Sequence, residues 1–232
     1  MGTFYNSNIS TDGLVLCLDA ANPRSYPGSG STWYDLSGNG NHADLATGSM
    51  GLENWSNGTF NFNGSNEYVY CGYLNSYLSN ITDVTFMCYA KIDILLIDSL
   101  YVVAGRYEGG NGWVMSCDPL GDEHQFAWGG RESASLFIST TSTFTPDTNI
   151  WYFLCGTKKG STWSLYINGQ LNSSTNAGNG TTVFLNKPLS IGRQFSQYYW
   201  NGQIANSLVY NRALSANEVK QNFNATRGRY GI

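Results

Sequence analysis

The clearest structural signal in this chain is the segment Trp163-Ser164-Leu165-Tyr166-Ile167-Asn168-Gly169-Gln170-Leu171. Its aromatic and aliphatic residues lead into the turn with the spacing and composition that favour a short β-strand. The Asn-Gly pair then supplies the positive φ angles that a type I′ turn requires. The segment therefore predicts a β-hairpin whose turn is Asn168-Gly169.

The same two signals recur along the whole chain. Asn-Gly pairs also occur at residues 39–40, 57–58, 63–64, 111–112, 179–180 and 201–202. Short segments rich in β-branched and aromatic residues lie between them, at 14–18, 60–62, 68–71, 84–92, 101–104, 113–117, 125–128, 135–138, 151–156, 163–167, 189–191 and 203–210. About a dozen short strands with regular turns predict an all-β sandwich or barrel rather than a βαβ fold.

One helix is predicted, near the C-terminus. Ser215-Ala216-Asn217-Glu218 forms a capping-box sequence, Val219 and Phe223 give the helix one apolar face, and Gly228 is expected to end it. Residues 29–31 and 173–180 are interpreted as loops. We find no internal repeat or long linker, so we predict one domain over residues 1–232, with an N-terminal arm over about 1–12 and a C-terminal tail over about 227–232.

Composition excludes several classes of protein. The 232 residues carry a net charge of −4, with 12% charged and 15% aromatic residues, which argues against intrinsic disorder. Basic residues form no cluster, so the sequence offers no nucleic-acid footprint. No apolar run approaches ~18 residues, so we predict no transmembrane span.

The N-terminus and the cysteines indicate where the chain is expected to fold. Residues 1–6 have neither a positively charged region nor an apolar core, so no signal peptide is predicted and folding in a cytosol is expected. The five cysteines have no CxxC spacing, and three of them continue apolar alternation in strands: Cys88, Cys117 and Cys155. We interpret the cysteines as small buried residues rather than as a disulfide framework.

Several motifs in order along the chain resemble a known family. They are residues 33–43 (WYDLSGNGNHA), 62–69 (FNGSNEYV), 84–91 (VTFMCYAK), 151–153 (WYF), 165–169 (LYING), 189–193 (LSIGR), 200–204 (WNGQI) and 210–219 (YNRALSANEV). As a set they are similar to the laminin-G-like, concanavalin A-like jelly roll of tailed-phage virion proteins and bacterial surface proteins. The resemblance implies a β-sandwich of two antiparallel sheets with one short C-terminal helix, and a function in binding more often than in catalysis. The family usually has an acidic residue after the isoleucine at 204, whereas this chain has Ala205.

The residues that hydrolysis would need are missing from the sequence. A retaining glycosidase uses two carboxyl groups ~5–5.5 Å apart, and the glucanase pattern Glu-x-Asp-x-x-Glu does not occur. Asp122 and Glu123 are adjacent, so on a strand they would point to opposite faces. The two histidines, His42 and His124, accompany no Gly-x-Ser-x-Gly motif. We therefore predict a non-enzymatic protein with no catalytic residues.

No cofactor is assigned, but a structural calcium ion is an open expectation. Calcium binds carboxylate, amide and carbonyl oxygens on loops. Asp35 with Asn39 and Asn41, or Asp118 with Asp122, could supply such oxygens, although neither group has the spacing of a defined calcium loop. His42 is interpreted as a polar residue that closes its turn, and His124 as part of a solvated hairpin tip.

Glycan binding predicts exposed aromatic residues beside planar polar groups. The candidate contacts are Tyr107, Trp128, Arg131, Tyr198, Tyr199 and Trp200, with Trp113 as a further aromatic. Any one of these could instead belong to the aromatic core of a jelly roll. The cluster 197–200 has the least core-like pattern, because alternation cannot bury three consecutive aromatic residues.

An aliphatic run after the strand that ends near Lys91 predicts an interface. Its candidates are Ile94, Leu95, Leu96 and Ile97. Leu95 and Leu96 cannot both face the same core on a strand, and an exposed aliphatic run usually marks an interaction site. We expect a homo-oligomer or a contact with a larger assembly; the alternative is a short turn that covers the core.

These observations favour a virion structural protein of a tailed phage, decorating the head or a fibre and assembled in the host cytoplasm. Its expected partners are capsid or fibre proteins and host-surface polysaccharide. The alternatives are a carbohydrate-binding module of a bacterial surface protein and, with the least support, a glycoside hydrolase.

Overall fold

The computed structural model describes residues 8–78, 82–96, 98–108, 111–120, 123–133, 136–178, 187–194 and 197–232. Within these ranges the strands are β1 (Leu14–Asp19), β2 (Thr32–Trp33), β3 (Ala43–Asp44), β4 (Trp55–Ser56), β5 (Thr59–Asn63), β6 (Val69–Tyr70), β7 (Val84–Ile92), β8 (Tyr101–Glu108), β9 (Asn111–Leu120), β10 (Glu123–Ser133), β11 (Leu136–Thr141), β12 (Trp151–Lys159), β13 (Thr162–Ile167), β14 (Gln170–Asn176), β15 (Ser190–Ile191), β16 (Arg193–Gln194), β17 (Tyr198–Tyr199) and β18 (Asn201–Tyr210). The α-helices are α1 (Asn75–Leu78) and α2 (Ala216–Thr226), and short 3₁₀ turns lie at Ala46–Gly48, Leu52–Asn54 and Arg227–Arg229.

Two antiparallel sheets form the predicted jelly-roll sandwich. The first sheet has the order β14-β13-β12-β7-β18-β5-β4, and β1 also pairs with β18. The second sheet has the order β11-β10-β9-β8-β15-β6-β3-β2. β16 and β17 make a separate two-stranded ribbon. The prediction of an all-β, concanavalin A-like sandwich with one C-terminal helix is confirmed.

Aromatic side chains fill the space between the sheets. Trp128 lies in the middle of this cluster, with its ring centroid 5.3 Å from that of Trp113 and 5.7 Å from that of Trp163. All three indoles are fully buried. The high aromatic content of the chain is therefore used mainly by the core, where each large ring removes much apolar surface from water.

Helix α2 covers the outer face of the first sheet. Ser215 and Glu218 form the predicted capping box at its N-terminus, and Val219 and Phe223 pack into a second apolar cluster on that face. This second layer explains why the central strand β7 is buried on both faces. Gly228 was predicted to end the helix, but the α-helix already ends at Thr226. Gly228 lies in the 3₁₀ turn Arg227–Arg229 that follows it.

Each of the dozen predicted strand segments overlaps a strand. One loop prediction is wrong: residues 173–176 of the expected loop 173–180 belong to β14, which completes the Asn168-Gly169 hairpin with β13. The sequence of β14 is polar because its side chains are largely exposed at the edge of the sheet. Residues 179–186 lie outside the described residues.

The arm contacts helix α2, and the tail contacts strand β7. The Ser10 amide donates a hydrogen bond to Asn222 Oδ1 at 2.7 Å, and Tyr230 stacks on Tyr89 with ring centroids 4.0 Å apart. The five cysteines are buried and free, as predicted. Among the described helices, none is long and apolar enough to cross a membrane.

Candidate tyrosine cleft

The ribbon of β16 and β17 presents two consecutive tyrosines at one end of the sandwich. Tyr199 pairs with Arg193 and Tyr198 pairs with Gln194. The next residue, Trp200, is fully buried, and its amide donates a hydrogen bond to the Gly192 carbonyl at 2.8 Å. Trp200 therefore anchors the ribbon in the core while both tyrosines remain partly exposed.

The connection between β7 and β8 faces this ribbon. The Asp93 amide donates a hydrogen bond to the Asn201 carbonyl at 3.0 Å, which ties the start of the connection to β18. The Leu96 amide lies 3.0 Å from the Tyr101 hydroxyl, and the Ser99 amide donates to the Leu96 carbonyl at 3.1 Å. Between them, Asp98 has a φ of 64°, in the left-handed region that Asp and Asn enter more readily than most residues.

The turn between β5 and β6 supplies a third wall. Gly64 has a φ of 75°, and a Cβ atom there would lie 2.8 Å from Asn201 Nδ2. Only glycine leaves room for the Asn201 side chain at this position, because any larger residue would displace it. The turn, the connection and the ribbon thus meet around Asn201.

Together these three elements enclose a cleft of about 300 Å³, here called the tyrosine cleft. It is lined by Gly64, Leu96, Asp98, Ser99, Leu100, Tyr101, Gln197, Tyr198, Tyr199 and Asn201. Tyrosine faces suit stacking on an apolar ring face, while the hydroxyl, amide and carboxylate groups suit hydrogen bonds to several hydroxyls. Asp98 is the one carboxylate among the lining residues that the structure describes.

Two of the six candidate glycan contacts are not at the surface, and the expectation for them is wrong. Trp128 and Trp200 are both fully buried in the core. Trp128 Nε1 donates a hydrogen bond to the Thr157 carbonyl at 3.1 Å, and its ring packs so closely on Gly156 that a Cβ there would lie 2.1 Å from it. Trp113 is buried as well. A sugar cannot stack on a ring that has no exposed face.

Two further candidates lie on the second sheet, outside the tyrosine cleft. Arg131 on β10 and Tyr107 on β8 both pair with Gly112 of β9, so the two positions are separated by a single strand. Arg131 is partly exposed. Tyr107 is described in its backbone only. Neither residue lines the tyrosine cleft, and their part in glycan binding stays a prediction.

The aliphatic run divides between core and surface. Leu95 packs against the core cluster, whereas Ile94 is 46% exposed and Leu96 is 59% exposed. The prediction that Leu95 and Leu96 cannot both face the core is confirmed. Ile97 lies outside the described residues. Leu96 also lines the tyrosine cleft, so the candidate interface and the candidate glycan site share this residue. The interface itself stays a prediction.

The loop proposed for calcium does not fit a cation. Asp35 Oδ1 accepts hydrogen bonds from the amides of Cys17 and Ser37, both at 2.9 Å. Its Oδ2 accepts from the Ser37 hydroxyl at 2.7 Å and from the Asn41 amide at 3.0 Å. These four donors use the acceptor capacity of the carboxylate. His42 Nδ1 accepts a hydrogen bond from the Asp35 amide at 3.1 Å, which confirms that this histidine closes its turn.

The acidic hairpin near His124 differs from the sequence interpretation. His124 is buried rather than solvated, and its Nε2 lies 3.1 Å from the Ser99 carbonyl oxygen. It therefore supports the connection that forms the tyrosine cleft. Burial raises the pKa of Asp118 above its ordinary value of 3.8, which disfavours its charged form. Its suggested calcium partner, Asp122, lies outside the described residues.

Sequence reasoning missed three polar groups of the cleft: Asp98, Ser99 and Asn201. A partial signal was present in the sequence, because two of its Asn-Gly pairs, at 63–64 and 201–202, each contribute one residue to the lining of the cleft. By themselves these pairs predict only turns. Their meeting with the β7–β8 connection depends on strand order, which local sequence does not specify.

Comparison with known proteins agrees with this architecture. A family model described as the concanavalin A-like lectin/glucanases superfamily matches residues 63–220, more than half of the chain. The chain therefore belongs to this superfamily. Among curated proteins, no sequence match is found.

Solved structures show the same fold at low sequence identity. The binding domain of Paraclostridial Mosquitocidal Protein 1 is similar with 19% identity and a TM-score of 0.71, over 93% of this chain and 52% of that chain. The receptor binding domain of botulinum neurotoxin D is similar with 17% identity and a TM-score of 0.70, over 92% and 52%. Trypanosoma rangeli sialidase is similar with 20% identity and a TM-score of 0.64, over 97% and 34%. The chain thus spans about half the length of the toxin domains and about a third of the sialidase.

Proposed function

We propose that this chain is a non-enzymatic glycan-binding domain of a tailed-phage virion, and that the tyrosine cleft is its binding site. The observation that carries the binding proposal is the convergence of Tyr198 and Tyr199 with Asp98, Ser99 and Asn201 in one cleft. Pyranose rings present apolar C–H faces and a rim of hydroxyls. A tyrosine ring that stacks on the apolar face and a few planar polar groups that bind the hydroxyls suit both features.

The chemistry of the cleft favours binding over hydrolysis. Most glycosidases hydrolyse with an acid and a second carboxylate on either side of the scissile bond. Asp98 has no second carboxyl group among the described lining residues. The similarity to a sialidase covers about a third of that enzyme and supports the fold only. Release of reducing ends from a bound polysaccharide by the purified protein would contradict the proposal.

The virion assignment has separate support. Five buried, free cysteines suit a protein that folds in a reducing cytosol before assembly. The exposed side chains of Ile94 and Leu96 suit a contact with a sister subunit or with capsid or fibre proteins. A carbohydrate-binding module of a bacterial surface protein would share the cleft. Mass spectrometry of purified virions distinguishes these two assignments, since this chain is expected among the virion proteins only if it is a virion component.

The binding proposal is tested by replacing the two partly exposed tyrosines of the cleft, Tyr198 and Tyr199. We expect the double variant Tyr198→Ala with Tyr199→Ala to weaken binding to cell-surface polysaccharide at least roughly tenfold, which corresponds to ~1.4 kcal/mol of lost stacking. Binding is measured by glycan array and by titration calorimetry.

The matched control is Tyr34→Ala. Tyr34 is 43% exposed and lies beside His42, in a recess separate from the tyrosine cleft. The control should bind like the wild type, and circular dichroism should show that all variants are folded. Equal loss of binding in the control and the double variant, or a folded wild type that binds no glycan, contradicts glycan binding at this cleft.

A further inference from the structure

The charge of the tyrosine cleft restricts which sugars it can take, and this inference rests on the proposed function. Among the described lining residues, Asp98 carries the one formal charge. Asp98 is exposed. The cleft is therefore a site of negative charge with neutral hydrogen-bonding groups around it.

Two nearby groups could in principle balance this charge. The guanidinium of Arg193 lies 3.3 Å from the centroid of the Tyr68 ring, where it is stacked, and it is not part of the lining. His124 is buried behind Ser99, with Nε2 near the Ser99 carbonyl oxygen. Neither group therefore presents a cation to a ligand in the cleft. An anionic sugar would therefore meet the Asp98 carboxylate with no compensating cation among the described lining residues.

We infer that the tyrosine cleft binds neutral or amino sugars and rejects sugars that carry carboxylate or sulfate groups, with Asp98 as the residue that sets this selectivity. Sugar hydroxyls donate charge-assisted hydrogen bonds to a carboxylate. A protonated amino group adds an ion pair, and an anionic substituent adds repulsion. At ~4 Å in water one unit charge changes affinity about fivefold, an effect that is strongest at low ionic strength.

The test uses matched glycans that differ in charge. The pairs are chitotetraose and its N-deacetylated form, N-acetyllactosamine and its sialylated form, and lactose and its 3′-sulfate. They are measured at low ionic strength beside an array of neutral and acidic bacterial polysaccharides. Wherever a pair binds, we expect the member with the more positive net charge to bind at least about fivefold more tightly: the N-deacetylated member of the first pair and the neutral member of the other two. The array should show the same preference for neutral over acidic polysaccharides.

Two variants identify the residue responsible. Asp98→Asn removes the charge and retains a residue type that tolerates the φ of 64°. It should reduce discrimination against anionic sugars about fivefold, whereas Arg193→Gln should leave discrimination unchanged. Preference of the wild type for acidic glycans overturns the inference and leaves the proposed function standing. Discrimination that Asp98→Asn does not change, or that Arg193→Gln abolishes, overturns the assignment to Asp98. A folded wild type that binds no glycan overturns the proposed function as well.

Discussion

Replacement of Trp200 by alanine tests whether this residue belongs to the core or to the ligand site. The side chain is fully buried, although the sequence places it directly after Tyr198 and Tyr199. Its indole nitrogen has no hydrogen-bond partner among the described residues. The stability lost on substitution by alanine therefore comes from lost packing, without a contribution from a broken indole hydrogen bond.

The size of the effect follows from burial. Removal of a fully buried tryptophan side chain lowers the free energy of unfolding by about 3–5 kcal/mol, a large part of the roughly 5–15 kcal/mol that stabilises an ordinary domain. With a urea dependence of about 2.5 kcal/mol per molar, a loss of about 4 kcal/mol shifts the unfolding midpoint by about 1.5 M. For Tyr199→Ala, where the ring is only partly buried, we expect about 1 kcal/mol or less.

The assay is equilibrium urea unfolding followed by circular dichroism, combined with glycan titration of the fraction that remains folded. Trp200→Phe is the second variant, because it retains most of the ring volume and should lose less stability than Trp200→Ala. We expect Trp200 variants to lose stability and Tyr199→Ala to lose affinity. Two results together refute this reasoning. The first is a free energy of unfolding for Trp200→Ala within about 0.5 kcal/mol of the wild-type value, which is the range of a surface substitution. The second is weaker glycan binding by the same variant.

Two further predictions concern the loop around Asp35 and the cap of α2. Asp35→Ala should lower the free energy of unfolding by about 2–4 kcal/mol, because the buried amide of Cys17 loses its acceptor; added calcium should leave the melting temperature of the wild type unchanged, and a calcium-dependent rise would contradict our account of Asp35. The hydrogen bonds from Arg212 lower the pKa of Glu218 from its ordinary value of 4.5 to about 2. Because the folded state favours the ionised carboxyl, this stabilisation is present above pH 4.5 and is lost as the pH falls towards 2. Urea unfolding over this pH window should show a smaller pH dependence in Glu218→Gln than in the wild type, and equal dependence would contradict the linkage.

The elements that the sequence predicts best are those whose conformation is determined by residues close together in the sequence. The turn at Asn168-Gly169 needs only two residues with suitable backbone preferences, and the helix cap needs only Ser215 and Glu218. Strand β14 was missed because its serines, threonines and asparagines lack the apolar alternation of a half-buried strand. Its pairing with β13 provides the stabilisation that its own sequence does not indicate.

The candidate site was predictable only in part, for a physical reason. Alternation showed that Tyr198, Tyr199 and Trp200 cannot all be buried, but it could not decide which of the three enters the core. That choice depends on the pairing of β16 with β17 and on the hydrogen bond from Trp200 to Gly192. The exposed rings of a sugar site and the buried rings of a jelly roll have the same composition, so composition cannot separate them.

The arrangement of the cleft also explains why a shared fold does not transfer a ligand. The core residue Trp200 belongs to the main buried cluster, whereas Asp98 lies on a connection and is exposed. A change at Asp98 can therefore alter charge selectivity with little effect on folding, while a change at Trp200 should do the reverse. Proteins with the same sandwich can keep the packing that defines the fold and replace the connections that define the ligand. For this chain, the proposed sugar class consequently rests on the residues around Asn201 and on their charge, and the similarity to toxin domains and a sialidase adds information about the sandwich alone.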